Sequence, residues 1–71
     1  DVEQACRLFD QLALEAPDQG SVAFNVAMCK EMRGDLPAAL AAYEALGRSA
    51  DGAANRVAST MAALAVEDAR R

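Results

Sequence analysis

The chain has no histidine and no tryptophan, a single lysine, two cysteines and three aromatic residues among its 71 positions. Each scarcity removes a class of chemistry. Without histidine there is no Cys–His or Ser–His pair to activate a nucleophile, and two cysteines alone make no zinc site of ordinary composition. Gly34 and Gly47 stand isolated rather than in a phosphate-binding loop. The carboxylates are spread along the chain, and the adjacent pair Glu67-Asp68 reads as solvated helix surface rather than acid–base machinery. No enzymatic activity, cofactor or metal is therefore expected. Basic charge is scarce too. Lys30 and six scattered arginines leave a net charge of −4, whereas phosphate binding needs clustered cations, so no nucleic-acid partner is expected. The acidic balance chiefly serves solubility. No apolar run approaches the roughly 20 residues of a membrane span, and no membrane insertion is expected.

What is present is alanine, at 18 positions. Alanine is the strongest helix former, and its small side chain lets helices approach closely. The valines show no alternation that would suggest strands. At this length the chain makes one small domain, marginally stable by itself. It has no initiating Met and opens inside a helical pattern, so it is expected to be a piece of a longer protein.

Four helices follow from the spacing of apolar residues. The first runs from Asp1 to Glu15 and carries Val2, Ala5, Cys6, Phe9, Leu12 and Ala13 on one face. Pro17 stops it, because the residue before a proline leaves the helical region. Asp18 or Ser21 is expected to cap the second helix, from about Gln19 or Ser21 to Met32. That helix is apolar nearly all round, and Ala27 is where a neighbour could cross closely. Gly34 ends it in a left-handed conformation, and Asp35 caps the third helix, with Pro37 in its first turn. The third helix, Leu36 to about Leu46, is expected to bury Leu36, Ala39, Leu40, Tyr43 and Leu46. A loop follows from Gly47, with Asp51 as the next cap. The fourth helix, about Ala53 to Ala69, offers Val57, Met61, Leu64 and Ala65 on one side. The short turns make sequential helices antiparallel neighbours.

The chain also repeats itself. Ala39, Tyr43 and Leu46 follow Ala5, Phe9 and Leu12 at an offset of 34 residues, and Pro17 closes the first set. Thirty-four residues is the tetratricopeptide period. With Ala23-Phe24, Val26-Ala27 and the Gly34-Asp35 turn, the stretch from Asp1 to about Leu46 resembles the tetratricopeptide repeat family. It departs from the family pattern in three places: Ala23 stands for a large aromatic, Asp51 for the second closing proline, and the match weakens from Ala53 onward. The 34-residue phase and the Gly34-Asp35 turn argue against a Sel1-type repeat or an ordinary four-helix bundle. The expected fold is all-α, a fragment of an α-solenoid of antiparallel helix-turn-helix repeats. Residues 1–17 would be the second helix of a partial repeat, 18–50 a complete repeat, and 51–71 a terminal or capping helix.

In that family the first helices of successive units line a concave groove. The resemblance places Ser21, Phe24, Asn25, Met28, Glu31 and Met32 on this surface, with Asn55, Ala58 and Ala62 from the last helix. Methionine suits adaptable peptide contact, and Asn25 can bond both an N–H and a C=O of an extended peptide. The competing reading makes Met28 and Met32 core residues against the fourth helix and Asn25 an interhelical tie. A carboxylate clamp of the kind some members carry is not expected, because Lys30 falls on the packed side and the last helix offers Asn55 and Ser59 where bases are wanted.

Cys6 and Cys29 are the only thiols. If the first two helices fold back near residues 17 and 18, residues whose numbers sum to about 35 lie at one height, and these two do. A disulfide is geometrically open to them if the helix axes approach closely, and it would imply an envelope or secreted setting. The favoured expectation is a pair of small buried hydrophobes that stay reduced, since axes about 8–10 Å apart often leave thiols in contact but unbonded. The function expected overall is a protein-interaction scaffold binding a protein, peptide or helix in the Phe24/Met28 groove. The alternative is a spacer or self-association module whose open helix faces take further repeats or a second copy, giving a homo-oligomer.

Overall fold

The computed structural model describes Asp1–Arg71 as an all-α chain. It contains α1 (Val2–Glu15), α2 (Gly20–Met32), α3 (Leu36–Ala45) and α4 (Asp51–Ala69), with a 3-10 turn, Gly47–Ala50, before α4. No helix is long and apolar enough to cross a membrane.

Local chemistry sets most of the boundaries. Asp1 caps α1 by accepting from the backbone N–H of Glu3 at 3.0 Å. Ala16, forced out of the helical region by Pro17, ends it at φ −139° and ψ 67°. At the other end of α2, Gly34 takes φ +85°. Its N–H donates to Glu31 O, and that of Asp35 donates to Lys30 O at 2.9 Å, which together close the helix in a Schellman arrangement. Asp35 then caps α3 by accepting from the N–H of Ala38. One dipeptide thus ends a helix and starts the next.

Two expected caps are not formed. Gln19 occupies the capping position of α2 and makes no side-chain cap, which leaves Asp18 outside the helix and Ser21 inside its first turn. Asp51 is the first residue of α4 rather than its cap, and there its charge still favours the positive end of the helix dipole. The expected loop after Gly47 is largely the 3-10 turn, and α4 begins two residues earlier than the apolar pattern suggests. α1 and α3 start 34 residues apart, at Val2 and Leu36, each on an aspartate cap. α4 runs ahead of that phase, because Asp51 stands where the first unit has Pro17 and places no bar on an early start.

α2, α3 and α4 enclose the core. Ala27, Ala39, Tyr43, Ala50, Ala53 and Val57 are buried together, with Phe24, Leu36, Leu40, Ala42, Leu46, Ala54 and Met61 packed around them. Ala27 and Ala39 are fully enclosed, which is the close crossing that small side chains allow. α1 lies outside this core and packs on α2. Of its expected apolar face, Cys6 is buried, Phe9, Leu12 and Ala13 are half-buried, and Val2 and Ala5 are exposed. The expected face of α4 is buried only at its start. Val57 is enclosed and Met61 half-buried, whereas Leu64 and Ala65 are exposed. The cause is length: α3 has 10 residues and α4 has 19, so the far half of α4 has nothing opposite it. The helices form a slab 44 × 28 × 14 Å.

Replacing Ala27 by leucine overfills a contact where no space remains. Ala27→Leu is expected to lower unfolding free energy by about 1–3 kcal/mol, measured by thermal melting against an Ala62→Leu control on the exposed face of α4.

Candidate functional site

Six of the seven expected groove residues lie on α2. Its two packing directions are fixed by Ala27, buried in the core with α3, and Cys29, bonded to α1. Phe24, Met28 and Met32 follow one another at i, i+4 and i+8, and such spacing makes a row along a helix. Exposure rises along this row: Phe24 and Met28 are half-buried, and Met32 is 56% exposed. The Phe24 ring tilts against that of Tyr43 at a centroid distance of 5.4 Å, so this end of the row is anchored in the core. Met32 is surface, not core.

The polar members are more tied down than the sequence suggests. Asn25 Nδ2 donates to the Ser21 carbonyl at 2.8 Å, one turn back on the same helix. It does not tie α2 to a neighbour. Glu31 is fully engaged within the chain. Its Oε1 accepts from the Tyr43 hydroxyl at 2.9 Å and from Arg56 at 2.7 Å, and its Oε2 accepts from Arg56 Nε at 3.0 Å. This knot joins α2, α3 and α4. The Arg56 guanidinium, helped by the Tyr43 hydroxyl, holds the Glu31 carboxyl below its ordinary range. Burial, and then the Glu31 carboxylate, push the Tyr43 phenol up.

Asn55 does not share a concavity with α2. It lines one of about 300 Å³ with Leu40, Glu44, Asp51, Ala54 and Ala58, between α3 and α4. The residue of α4 that reaches α2 is its neighbour, Arg56. A second concavity, about 340 Å³ and almost wholly apolar, lies on the other side of α2. Val22, Ala23 and Val26 form its floor, Ala13, Ala16 and Pro17 its α1 wall, and Ala42, Ala45 and Leu46 its α3 wall. The third is a shallow depression along α1 at Asp1, Gln4, Ala5, Arg7, Leu8 and Gln11. None of the three includes Phe24, Asn25 or Met28. That row is a raised, part-exposed ridge.

The expectation of two reduced thiols is overturned. Cys6 and Cys29 form a disulfide, with Cα atoms 5.6 Å apart. The small side chains at the α1–α2 contact let the axes come within bridging reach. Beside it, Arg33 donates to both carboxylate oxygens of Glu3, at 2.9 and 3.3 Å, and to Asp10 at 3.3 Å. Glu3, Cys6 and Asp10 share one stripe of α1. Arg33 holds the Glu3 carboxyl below its ordinary range. The height relation that pairs residues 6 and 29 also brings 3 and 33 together, so this clamp had a signal in the sequence. The Arg56–Glu31 pair had none, since it joins helices that are not sequential. No buried side-chain polar atom lacks a partner, and no three metal-ligating side chains gather. No family model matches the chain, and neither a curated protein nor a solved structure matches it.

Tyr43 is the only tyrosine, and there is no tryptophan, so its ionisation can be followed alone. A raised folded-state value means that its contribution to stability is intact below the ordinary phenol value of 10.0 and is lost as pH rises through the raised one. For Glu31 the lowered value means a contribution intact above 4.5 and lost as pH falls through the lowered one. Absorbance titration should therefore give a tyrosinate midpoint above that of the urea-unfolded chain. Arg56→Ala should raise the Glu31 carboxyl value in a side-chain NMR titration.

Proposed function

We infer that the chain is a protein-interaction module of tetratricopeptide type, which binds a peptide or helix of another protein along the Phe24–Met28–Met32 face of α2. The 34-residue phase of α1 and α3, with an aspartate cap at each start, supports the repeat reading. The single observation that carries the functional reading is the row itself. It is apolar, part-exposed at one end and open at the other, and its charged neighbour Glu31 is neutralised by Arg56. Such a face offers thioether and aromatic contact without the cost of desolvating a free charge. The expected occupant presents apolar anchors at helical or alternating spacing, and backbone or Asn25 hydrogen bonds set its register. In a selection of displayed random peptides on the native chain, the recovered peptides should bind Met28→Glu at least ~10-fold more weakly, a loss of about 1.4 kcal/mol. Circular dichroism should show unchanged helicity. Equal affinity for both proteins would remove the row from the binding surface.

A second reading, self-association or spacing within a longer array, has its own observation. Ala39 and Tyr43 are fully enclosed, whereas Ala5 and Phe9, their counterparts at the 34-residue offset, are exposed and half-buried. Within these 71 residues no helix stands to α1 as α2 stands to α3. At the other end, Leu64 and Val66 are about half exposed, at 48% and 52%. Sedimentation equilibrium on this reading gives a mass that rises with concentration and returns to the monomer value in Leu64→Glu.

A further inference from the structure

We propose that α1 is a redox-latched helix: the Cys6–Cys29 bond keeps it docked on a unit of α2, α3 and α4 that holds together without it. The argument begins with where the apolar material lies. The core is drawn wholly from α2, α3, the 3-10 turn and α4, and every partly buried residue packed around it belongs to α2, α3 or α4. α1 contributes nothing to either group. Its one buried residue is Cys6 itself. Phe9, Leu12 and Ala13 are only half-buried, and Leu8 and Leu14 face solvent. On the side facing α3, the apolar concavity of about 340 Å³ separates the end of α1 from Ala42, Ala45 and Leu46. α1 is thus a helix laid on α2 alone, with a gap where a second packing partner would be.

What remains to hold it is the Arg33 clamp and the bridge. The clamp is solvated. Arg33, Glu3 and Asp10 are each between a third and a half exposed, and exposed ion pairs contribute little. The bridge is of a different order. It closes a loop of 23 residues in sequence separation, and its residues are 2% and 4% exposed. Such a closure holds the helix at its docking site at high effective concentration, which a half-buried apolar contact does not do. Because the sulfurs are covered, a reductant reaches them only when α1 swings out, so reduction and undocking are one event. The exchange is ordinary: a dithiol attacks one sulfur, the Cys6–Cys29 bond breaks, and the dithiol closes to its own disulfide. The dithiol supplies two electrons, and each cysteine takes up one proton. Undocking uncovers Val22, Val26 and Cys29, an apolar stripe at i, i+4 and i+7 of α2 that the oxidised protein hides against α1.

The test is amide hydrogen exchange, read by mass spectrometry on the full chain, oxidised and after treatment with dithiothreitol. On reduction, protection of residues 2–15 should fall on the order of 100-fold, the equilibrium equivalent of closing a loop of this size. Protection at the centres of α2, α3 and α4 should change little. The double variant Cys6→Ala, Cys29→Ala should behave as the reduced protein does, without any reductant. Arg33→Gln in the oxidised state should leave α1 protected. Three results would overturn the latch: α1 still protected after reduction, all four helices losing protection together, or α1 released in oxidised Arg33→Gln.

Discussion

Tyr43 is the side chain on which the α2–α4 unit depends. The helices around it meet through alanines, at positions 27, 39, 50 and 53. Alanine lets backbones come close but fills little volume, so one large residue at the centre must supply most of the enclosed apolar surface. Tyr43 does this from α3, with its ring against Phe24 of α2 and among Ala50, Ala53 and Val57. Enclosing a phenol also demands a partner for its hydroxyl. Glu31 is that partner, and a half-buried carboxylate requires a cation in turn, which Arg56 provides from α4. Each member of this chain of requirements comes from a different helix. Apolar filling and polar satisfaction therefore select the same arrangement of α2, α3 and α4.

Much of this was legible in the sequence because it is local. Pro17, the Gly34-Asp35 pair and the apolar spacing fix helix boundaries through interactions a few residues long. Ala27 could be read as a close crossing because it is a small residue in an otherwise bulky stretch. What was not legible is non-local or depends on lateral direction. Asn55 and Arg56 are adjacent in sequence yet face different neighbours, and only the azimuth of α4 on the core separates them. Glu31 looked like a groove residue because nothing in its own helix shows that Arg56 and Tyr43 will claim both its oxygens. The exposure of Leu64 follows from the short reach of α3, a fact about a neighbouring helix. The disulfide was half-legible. The height of the two cysteines was readable, but the closeness of the helix axes was not, and bonding turns on that closeness.

The two halves of the molecule are held by different physics. Between α2, α3 and α4 the cohesion is apolar contact around a buried aromatic. Between α1 and α2 it is a covalent bond and a solvated cluster of charges, with only partial apolar cover. Salt screens the second kind of contact far more than the first. The two faces of α2 differ as well. One carries a ridge of part-exposed thioether and aromatic side chains, and the other floors an apolar trough between α1 and α3.

The slab is only 14 Å across its thinnest dimension, and nine of its 71 residues are buried. A structure with so little interior places few demands on its own sequence. Most positions can drift without disturbing the fold, provided the handful of alanines, Tyr43, Val57 and the turn at Gly34-Asp35 persist. Descendants of such a chain can diverge until little ties them together except rhythm, the recurring interval at which a small residue and an aromatic return. Ancestry in a molecule of this shape is carried in its metre more than in its words.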